Sequence, residues 1–329
     1  MDLSDLAFGG GGLDRSAHLR PRAEELWANG TARVLPLWRG RPLFTAERAT
    51  GRALDLVFTT SDHPLVADNA PRTLYLGQHD DRPLFAVDIS GWTPPFESAD
   101  GGPGFAGEPV PVAANGLPPD AHFADLRAAL HGLDPWESEV AATARGLFEW
   151  HRSHRYCANC GQPSTIAQAG WRRDCPACGR QHFPRTDPVV IMLVTHGNSV
   201  LLGRSPGWPE GMYSLLAGFM EPGETIEAAT RREVWEETGI SCGPVEMLAS
   251  QPWPFPASLM IGTRTEATST EIAIDPVEIE HALWVTREDL AQAFAGTHPV
   301  IRKPRRGAIA QVLLKNWLAG TLPIPQDRR

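Results

Sequence analysis

Apolar residues follow two different rhythms along this chain. In the first hundred residues they form short runs broken by polar turns. Thr73-Leu-Tyr-Leu-Gly77 and Leu84-Phe-Ala-Val-Asp88 flank the polar stretch His79–Pro83 and predict two strands, and Leu54-Asp-Leu-Val-Phe58 predicts another. No spacing in this region marks a catalytic site, so a scaffold or dimerisation role is expected for it. From Gly101 to Asp120 the chain is rich in Gly and Pro with little apolar periodicity, which reads as a loop or linker. A helical rhythm then sets in. Asp134-Pro135 supplies an N-cap and a first helical residue, and Val140, Ala144, Leu147, Phe148 and His151 recur on one helical face. Further on, Pro188-Val-Val-Ile-Met-Leu-Val194 reads as a buried strand, with Asn198-Ser-Val-Leu-Leu202 pairing beside it.

Composition narrows the class. At 329 residues the chain is long enough for two or three domains, and 42% hydrophobic with 21% charged residues excludes wholesale disorder. The net charge of −9 argues against a surface that clings everywhere to nucleic acid or anionic lipid. No apolar run reaches the roughly 18 residues of a membrane span, and the acidic start Met1-Asp-Leu-Ser-Asp5, leading into Gly9–Gly12, is unlike a signal peptide. A cytoplasmic protein without a membrane partner is expected.

Four of the five cysteines form two CxxC pairs, Cys157/Cys160 and Cys175/Cys178, each followed by glycine. Four thiolates on two turns suit one tetrahedral, structural Zn²⁺ and leave no open position for chemistry. A thioredoxin-like redox pair needs a single CxxC in a βαβ setting. Cys242 stands apart and reads as a small buried residue. Between His151 and Arg185 six arginines face one acid, Asp174, giving +5 locally and −14 for the remainder. That contrast fits either a solvated zinc knuckle or a patch facing phosphates or an RNA tail.

The segment Gly218–Ile240 carries the clearest chemistry. Pro222-Gly223 makes a turn, and a helix is expected from about Thr225 to Thr238, closed by Gly239. At about 100° per residue, Glu233 and Glu237 fall within about 20° of Ile226, and Glu236 lies about 80° away beside Ala229. Trp235 falls on the opposite side and suggests that this side is covered too. Carboxylates gathered on an apolar face are costly unless a cation neutralises them, and hard oxygen donors point to Mg²⁺ or Mn²⁺ holding a phosphate.

These residues are identified as a Nudix box, Gx5Ex7REUxEExGU with U aliphatic, matched at Gly218, Glu224, Arg232, Glu233, Val234, Glu236, Glu237, Gly239 and Ile240. The resemblance implies an α/β/α sandwich with a mixed sheet. It also implies hydrolysis of a nucleoside diphosphate linked to another group. Glu233, Glu236 and Glu237 would be catalytic and would bind two or three Mg²⁺ or Mn²⁺ ions together with the Ala217 carbonyl. Arg232 would orient the carboxylates, while Glu224, Gly218 and Gly239 would support the box.

Downstream, Ser250-Gln-Pro-Trp-Pro-Phe-Pro-Ala-Ser258 alternates prolines with aromatic rings, which stiffens a loop and suits either a connector packing on the core or a surface for flat bases. It resembles the SQPWPFPxS array of NADH pyrophosphatases of the NudC type, whose architecture also includes the zinc ribbon and a β-rich N-terminal domain. The resemblance implies a homodimer that cleaves NADH or NAD⁺ to NMN(H) and AMP, and removal of NAD caps from RNA. Gln251, Pro252, Trp253, Pro254, Phe255, Pro256, Ala257 and Ser258 would line the substrate pocket. Phe183, where relatives often have Tyr, would stack on a base. Glu278 would be a further metal ligand, and Ala310 a backbone contact. A substrate-contacting Glu of one member falls on Gly170 here, and Ala257 is small where larger polar residues occur.

The fold class expected is therefore α+β, with a β-rich N-terminal domain and linker over 1–120, a helix and four-cysteine zinc ribbon over 121–184, and a Nudix domain over 185–329. Two alternatives stand beside the NAD(H) reading. One is a Nudix enzyme preferring ADP-ribose or another dinucleotide. The other is a zinc-ribbon RNA-binding protein with a vestigial Nudix domain.

Overall fold

A computed structural model describes residues 1–46, 54–68, 72–94 and 108–323. The chain divides into two compact units. One comprises Phe8–Arg185 together with Trp253–Ala257, and the other Met1–Ala7, Thr186–Pro252 and Ser258–Arg329.

In the unit built around Phe8–Arg185, seven strands form one sheet: β1 (Arg33–Trp38), β2 (Arg41–Thr45), β3 (Asp55–Leu56), β4 (Arg72–His79), β5 (Arg82–Asp88), β6 (Val110–Pro111) and β7 (His122–Phe123). Their order is β4-β5-β1-β2-β7-β6, with β3 pairing β2. The strands predicted at 73–77 and 84–88 are the antiparallel pair β4 and β5. Trp38, Tyr75, Phe85 and Phe123 fill the core, beside the short helices α1 (Ala23–Ala28) and α2 (Pro64–Ala67). The segment expected as a linker contributes to this sheet from residue 110, because Val110 and Val112 bury there. Its residues 101–107 lie outside the described ones.

Helix α3 (Pro135–Ser153) begins as its sequence dictates. The Asp134 carboxylate accepts the Glu137 N–H at 3.0 Å, and Pro135 occupies the first turn. Val140, Ala144, Leu147, Phe148 and His151 are all buried. Beyond it, β8 (Thr165–Ala167), β9 (Arg172–Asp174) and β10 (Gln181–His182) form the small antiparallel sheet of the cysteine region.

The other unit is a six-stranded mixed sheet of β11 (Asp187–His196), β12 (Ser199–Arg204), β13 (Leu216–Phe219), β14 (Cys242–Trp253), β15 (Ser258–Ala267) and β16 (His281–Thr286). Central strand β11 runs parallel to β15 and antiparallel to β12 and β13. Its unbroken apolar run has a physical cause. Val190, Met192 and Val194 pack with Ala229 and Val234 of α4 (Ile226–Thr238). Ile191 and Leu193 pack on the other face with α5 (Arg287–Ala295) and α6 (Ile309–Leu318). This is an α/β/α sandwich.

Met1–Ala7 belongs to this sandwich. Asp2 and Asn316 exchange two hydrogen bonds of 2.7 Å, and Asp5 pairs with Lys315 at 2.6 Å and with Arg306 at 3.1 Å. No helix among the described residues is long and apolar enough to cross a membrane.

Candidate active site and metal centre

Helix α4 starts where Thr225 Oγ1 accepts the Ala228 N–H at 3.2 Å and ends at Gly239, whose φ of 69° favours glycine. Between these caps it presents Glu233 and Glu237 inward, both buried, and Glu236 outward. Trp235, on the side that the sequence suggested was covered, is 62% exposed. Glu233 faces Gly218 of β13, where a Cβ would overlap its carboxylate.

Arg232 holds the surrounding carboxylates in place. Its guanidinium donates to Glu224 at 2.6 and 2.8 Å, to Glu233 and Glu236 at 2.8 Å each, and to the Phe219 carbonyl at 2.9 Å. That pairing, helped by the Glu221 N–H, draws the Glu224 carboxyl down to about 2. Glu237 has no such partner. Its Oε2 is buried without a hydrogen bond, and burial, reinforced by Glu233, Glu278 and Glu236, pushes its carboxyl up to about 8. Exposed Glu278 sits on a loop tied to the end of α4, where Asp275 N–H donates to the Glu237 carbonyl at 3.2 Å and Ala273 N–H to the Thr238 carbonyl at 2.8 Å. Ala217 lies in β13 opposite Ile191.

A buried carboxylate oxygen without a donor, in the negative field of Glu233, Glu278 and Glu236, is what a bound divalent cation would satisfy. The donor set is all oxygen, as Mg²⁺ or Mn²⁺ requires. The residues present therefore fit such ions.

The predicted substrate segment divides between the two units. Gln251 is fully buried in the sandwich, and its side-chain amide is wholly used. Nε2 donates to the Ala7 and Gly307 carbonyls at 2.9 and 2.8 Å, and Oε1 accepts the Ile309 N–H at 2.8 Å. Pro252, Ser258 and Ala310 belong to the same unit, with Ala310 in the first turn of α6. Trp253, Pro254, Phe255, Pro256 and Ala257 belong to the other unit, where the Trp253 and Phe255 rings pack on Phe8 with centroids 6.1 and 6.0 Å away. Two arginines brace this tip. Arg127 lies 4.1 Å from the Phe255 ring centroid, and buried Arg145 donates to the Pro254 carbonyl at 2.9 Å and the Gly40 carbonyl at 2.8 Å. Neither arginine was marked by a motif, because only the folded chain brings them to the loop. Phe183, also in that unit, is exposed.

The four thiols converge. All four Sγ atoms lie within 4.8 Å of one another, with Cys157–Cys178 at 3.6 Å and Cys160–Cys175 at 3.5 Å. Bonds of about 2.3 Å to a tetrahedral zinc set sulfur separations near ~3.8 Å. The two turns repeat one geometry. Gly161 and Gly179, with φ of 73° and 72°, donate to the Cys157 and Cys175 carbonyls at 2.9 Å each. His182 Nε2 approaches Cys157 Sγ at 3.2 Å, a contact the CxxC spacing does not announce. Cys242 is half-buried against the sandwich core.

Much of the arginine cluster around the cysteines is already paired. Arg172 binds Asp174 twice at 2.7 Å, Arg152 pairs with Glu149 at 2.8 Å, and Arg173 is buried against Ser164 and His151. Gly170 sits at φ 101° against Leu74 and gives its carbonyl to His151 Nε2 at 2.8 Å.

Three family models match in tandem. An NADH pyrophosphatase-like rudimentary NUDIX domain covers 31–150, an NADH pyrophosphatase zinc ribbon domain 152–183, and a NUDIX domain 184–304. The NAD-capped RNA hydrolase NUDT12 of Homo sapiens is 46% identical over 201 residues, 58% of this chain, which spans 44% of that protein's length. The NAD-capped RNA hydrolase NudC of Stutzerimonas stutzeri is 41% identical over 226 residues, covering 68% of this chain and 78% of the relative. NudC of Mycobacterium bovis is 38% identical over 217 residues, 64% of this chain and 69% of the relative. A solved NUDIX hydrolase from Nitrosomonas europaea aligns with a TM-score of 0.41 and 22% identity, covering 50% of this chain and 90% of that one. The chain belongs to the Nudix hydrolase family, in the branch that carries the NADH pyrophosphatase zinc ribbon and a rudimentary second Nudix domain.

Proposed function

We propose that the protein hydrolyses the pyrophosphate of NAD(H) to NMN(H) and AMP, and removes NAD caps from RNA to leave a 5′-monophosphate end. The observation that carries the reading is the buried, donor-less carboxylate of Glu237 amid Glu233, Glu236 and Glu278. The names of its NudC and NUDT12 relatives support the choice of substrate. The bond broken is the same in both cases, since a NAD cap is a dinucleotide whose adenosine continues into RNA.

Glu233, Glu236, Glu237, Glu278 and the Ala217 carbonyl would hold two or three Mg²⁺ or Mn²⁺ ions. When bound there, such ions would supply charge neutralisation at the phosphates and activation of the attacking water. Arg232 keeps Glu233 and Glu236 from swinging away, and Gly218 leaves room for the Glu233 carboxylate. Water adds to one phosphorus, the bond to the bridging oxygen breaks, and two monophosphates leave. The segment Gln251–Ser258, Phe183 and Ala310 contact the dinucleotide, with Gln251 acting through the loop it anchors. Cys157, Cys160, Cys175 and Cys178 would hold one structural Zn²⁺. The protein works in the cytoplasm as a homodimer, and its domains span 1–120, 121–184 and 185–329.

The test is product chromatography after incubation with NADH, or ADP-ribose at equal concentration, with Mg²⁺ or Mn²⁺. NMNH and AMP forming well ahead of ADP-ribose cleavage is the expected result. Intact NADH beside cleaved ADP-ribose overturns the substrate.

A further inference from the structure

The loop before α6 reads Ile301-Arg-Lys-Pro-Arg-Arg-Gly307, four cations in five residues of a chain whose net charge is −9. Arg306 pairs with Asp5. Arg302, Lys303 and Arg305 are exposed and have no ion pair among the described residues. Three like charges crowded beside a proline repel one another unless an anion lies between them.

The loop is held at both ends by backbone, so its charges have a fixed address. Arg302 N–H donates to the Gly211 carbonyl at 2.8 Å, on the segment that leads into β13 with Ala217 and Gly218. At the other end the Gly307 carbonyl accepts Gln251 Nε2 and the Ala7 N–H at 2.8 and 3.1 Å. It is thus strung between the strand beside the carboxylates and the start of the candidate substrate segment. Arg302 and Lys303 also line a cavity of about 500 Å³ with His298, where Glu210 is the one acid. Within the cavity His298 Nδ1 accepts the Val300 and Ile301 N–H groups at 3.1 and 2.8 Å, which leaves Nε2 as the ring's other nitrogen for a ligand.

We propose that Arg302, Lys303 and Arg305 bind the backbone phosphates of the RNA that follows the NAD cap. The inference rests on the decapping reading above. Free NADH has no phosphate beyond its pyrophosphate, so the loop raises affinity for capped RNA and not for the dinucleotide. The ribbon arginines are the rival by composition, but half of the six, Arg152, Arg172 and Arg173, are already occupied.

The test uses the full chain and an R302S/K303S/R305S variant, which keeps the backbone anchors. Cleavage of a short NAD-capped RNA and of NADH gives one readout, and anisotropy of a 5′-monophosphate RNA the other. Three lost phosphate contacts should flatten the slope of log affinity against log salt by about 2, at roughly 0.7 per single-strand phosphate. KM for capped RNA should rise roughly tenfold at low salt, with NADH turnover unchanged as proof of folding. Unaltered RNA affinity and salt slope in the variant overturn the inference. If the wild type binds RNA through this slope but leaves capped RNA intact, the decapping reading fails and the phosphate site stands.

Discussion

Gly218 and Glu233 meet so closely that a methyl group on the glycine would occupy the space of the glutamate's carboxylate. The glycine that opens the box is therefore a matter of volume, since its φ is not among the positive ones. Gly218→Ala should turn Glu233 away from its Arg232 partner. A displacement of about 1 Å can cost about a hundredfold in rate, so kcat for NADH should fall by that order. Steady-state kinetics at saturating Mn²⁺ checks it.

Glu237→Gln separates charge from shape. Turnover should fall by about a hundredfold or more, because a neutral amide holds a cation poorly. The metal-free variant should melt above metal-free wild type near neutral pH, since folding no longer has to protonate a buried acid whose carboxyl is pushed up to about 8. Adding Mn²⁺ should raise the melting temperature of wild type and leave the variant nearly unmoved. Differential scanning fluorimetry with and without EDTA reads both effects.

Acid should loosen the unit that carries the cysteines through His151. The buried ring accepts an N–H from Arg173 at Nδ1, at 3.1 Å, so its own proton sits on Nε2 facing the Gly170 carbonyl. Burial, opposed by the Gly170 hydrogen bond and helped by Arg173, lowers its pKa to about 4. Between the ordinary value near 6.5 and about 4 the unfolded chain binds more protons, so stability is full above 6.5 and falls as pH drops through that window. His151→Gln should flatten the melting temperature across it.

Glu137 works in the opposite direction. One oxygen accepts the Leu56 N–H at 3.0 Å, the other is buried without a partner, and burial raises its carboxyl to about 7. Here the folded state binds the extra proton. The stabilisation is present below 4.5 and is lost as pH rises through about 7. Thermal melts of Glu137→Gln between pH 5 and 8 should show a smaller decline than wild type.

At Gly170 a side chain meets two obstacles, a left-handed backbone and Leu74. The backbone alone costs a non-glycine residue about 1–2 kcal/mol. Gly170→Glu should lower the melting temperature without improving kcat/KM for NADH.

What the sequence made legible was local. The cap of α3 at Asp134, the box helix and its Gly239 stop, and the two cysteine turns are written within a few residues each. Its misreadings share a cause in distance. Val110 and Pro111 look like parts of a linker until β7 supplies their partner strand. Trp235 was expected under cover, yet the box face is fixed by Val190, Met192 and Gly218 on the other side of the helix. The Asp2–Asn316 bonds span 314 positions and leave no periodic trace. Arg145 carries no motif, and its hold on Pro254 exists only once α3 and the loop meet.

The exchange of short segments between the two units has a consequence for how such a protein can be divided or recombined. The sandwich completes itself with Met1–Ala7, and the other unit with Trp253–Ala257. Any single cut that frees one unit strips the other of a piece. Cutting before Thr186 would leave Lys315 without its aspartates and one Gln251 N–H without the Ala7 carbonyl. Separating the units at Arg185–Thr186 therefore requires that each regain the short segment the other fragment carries.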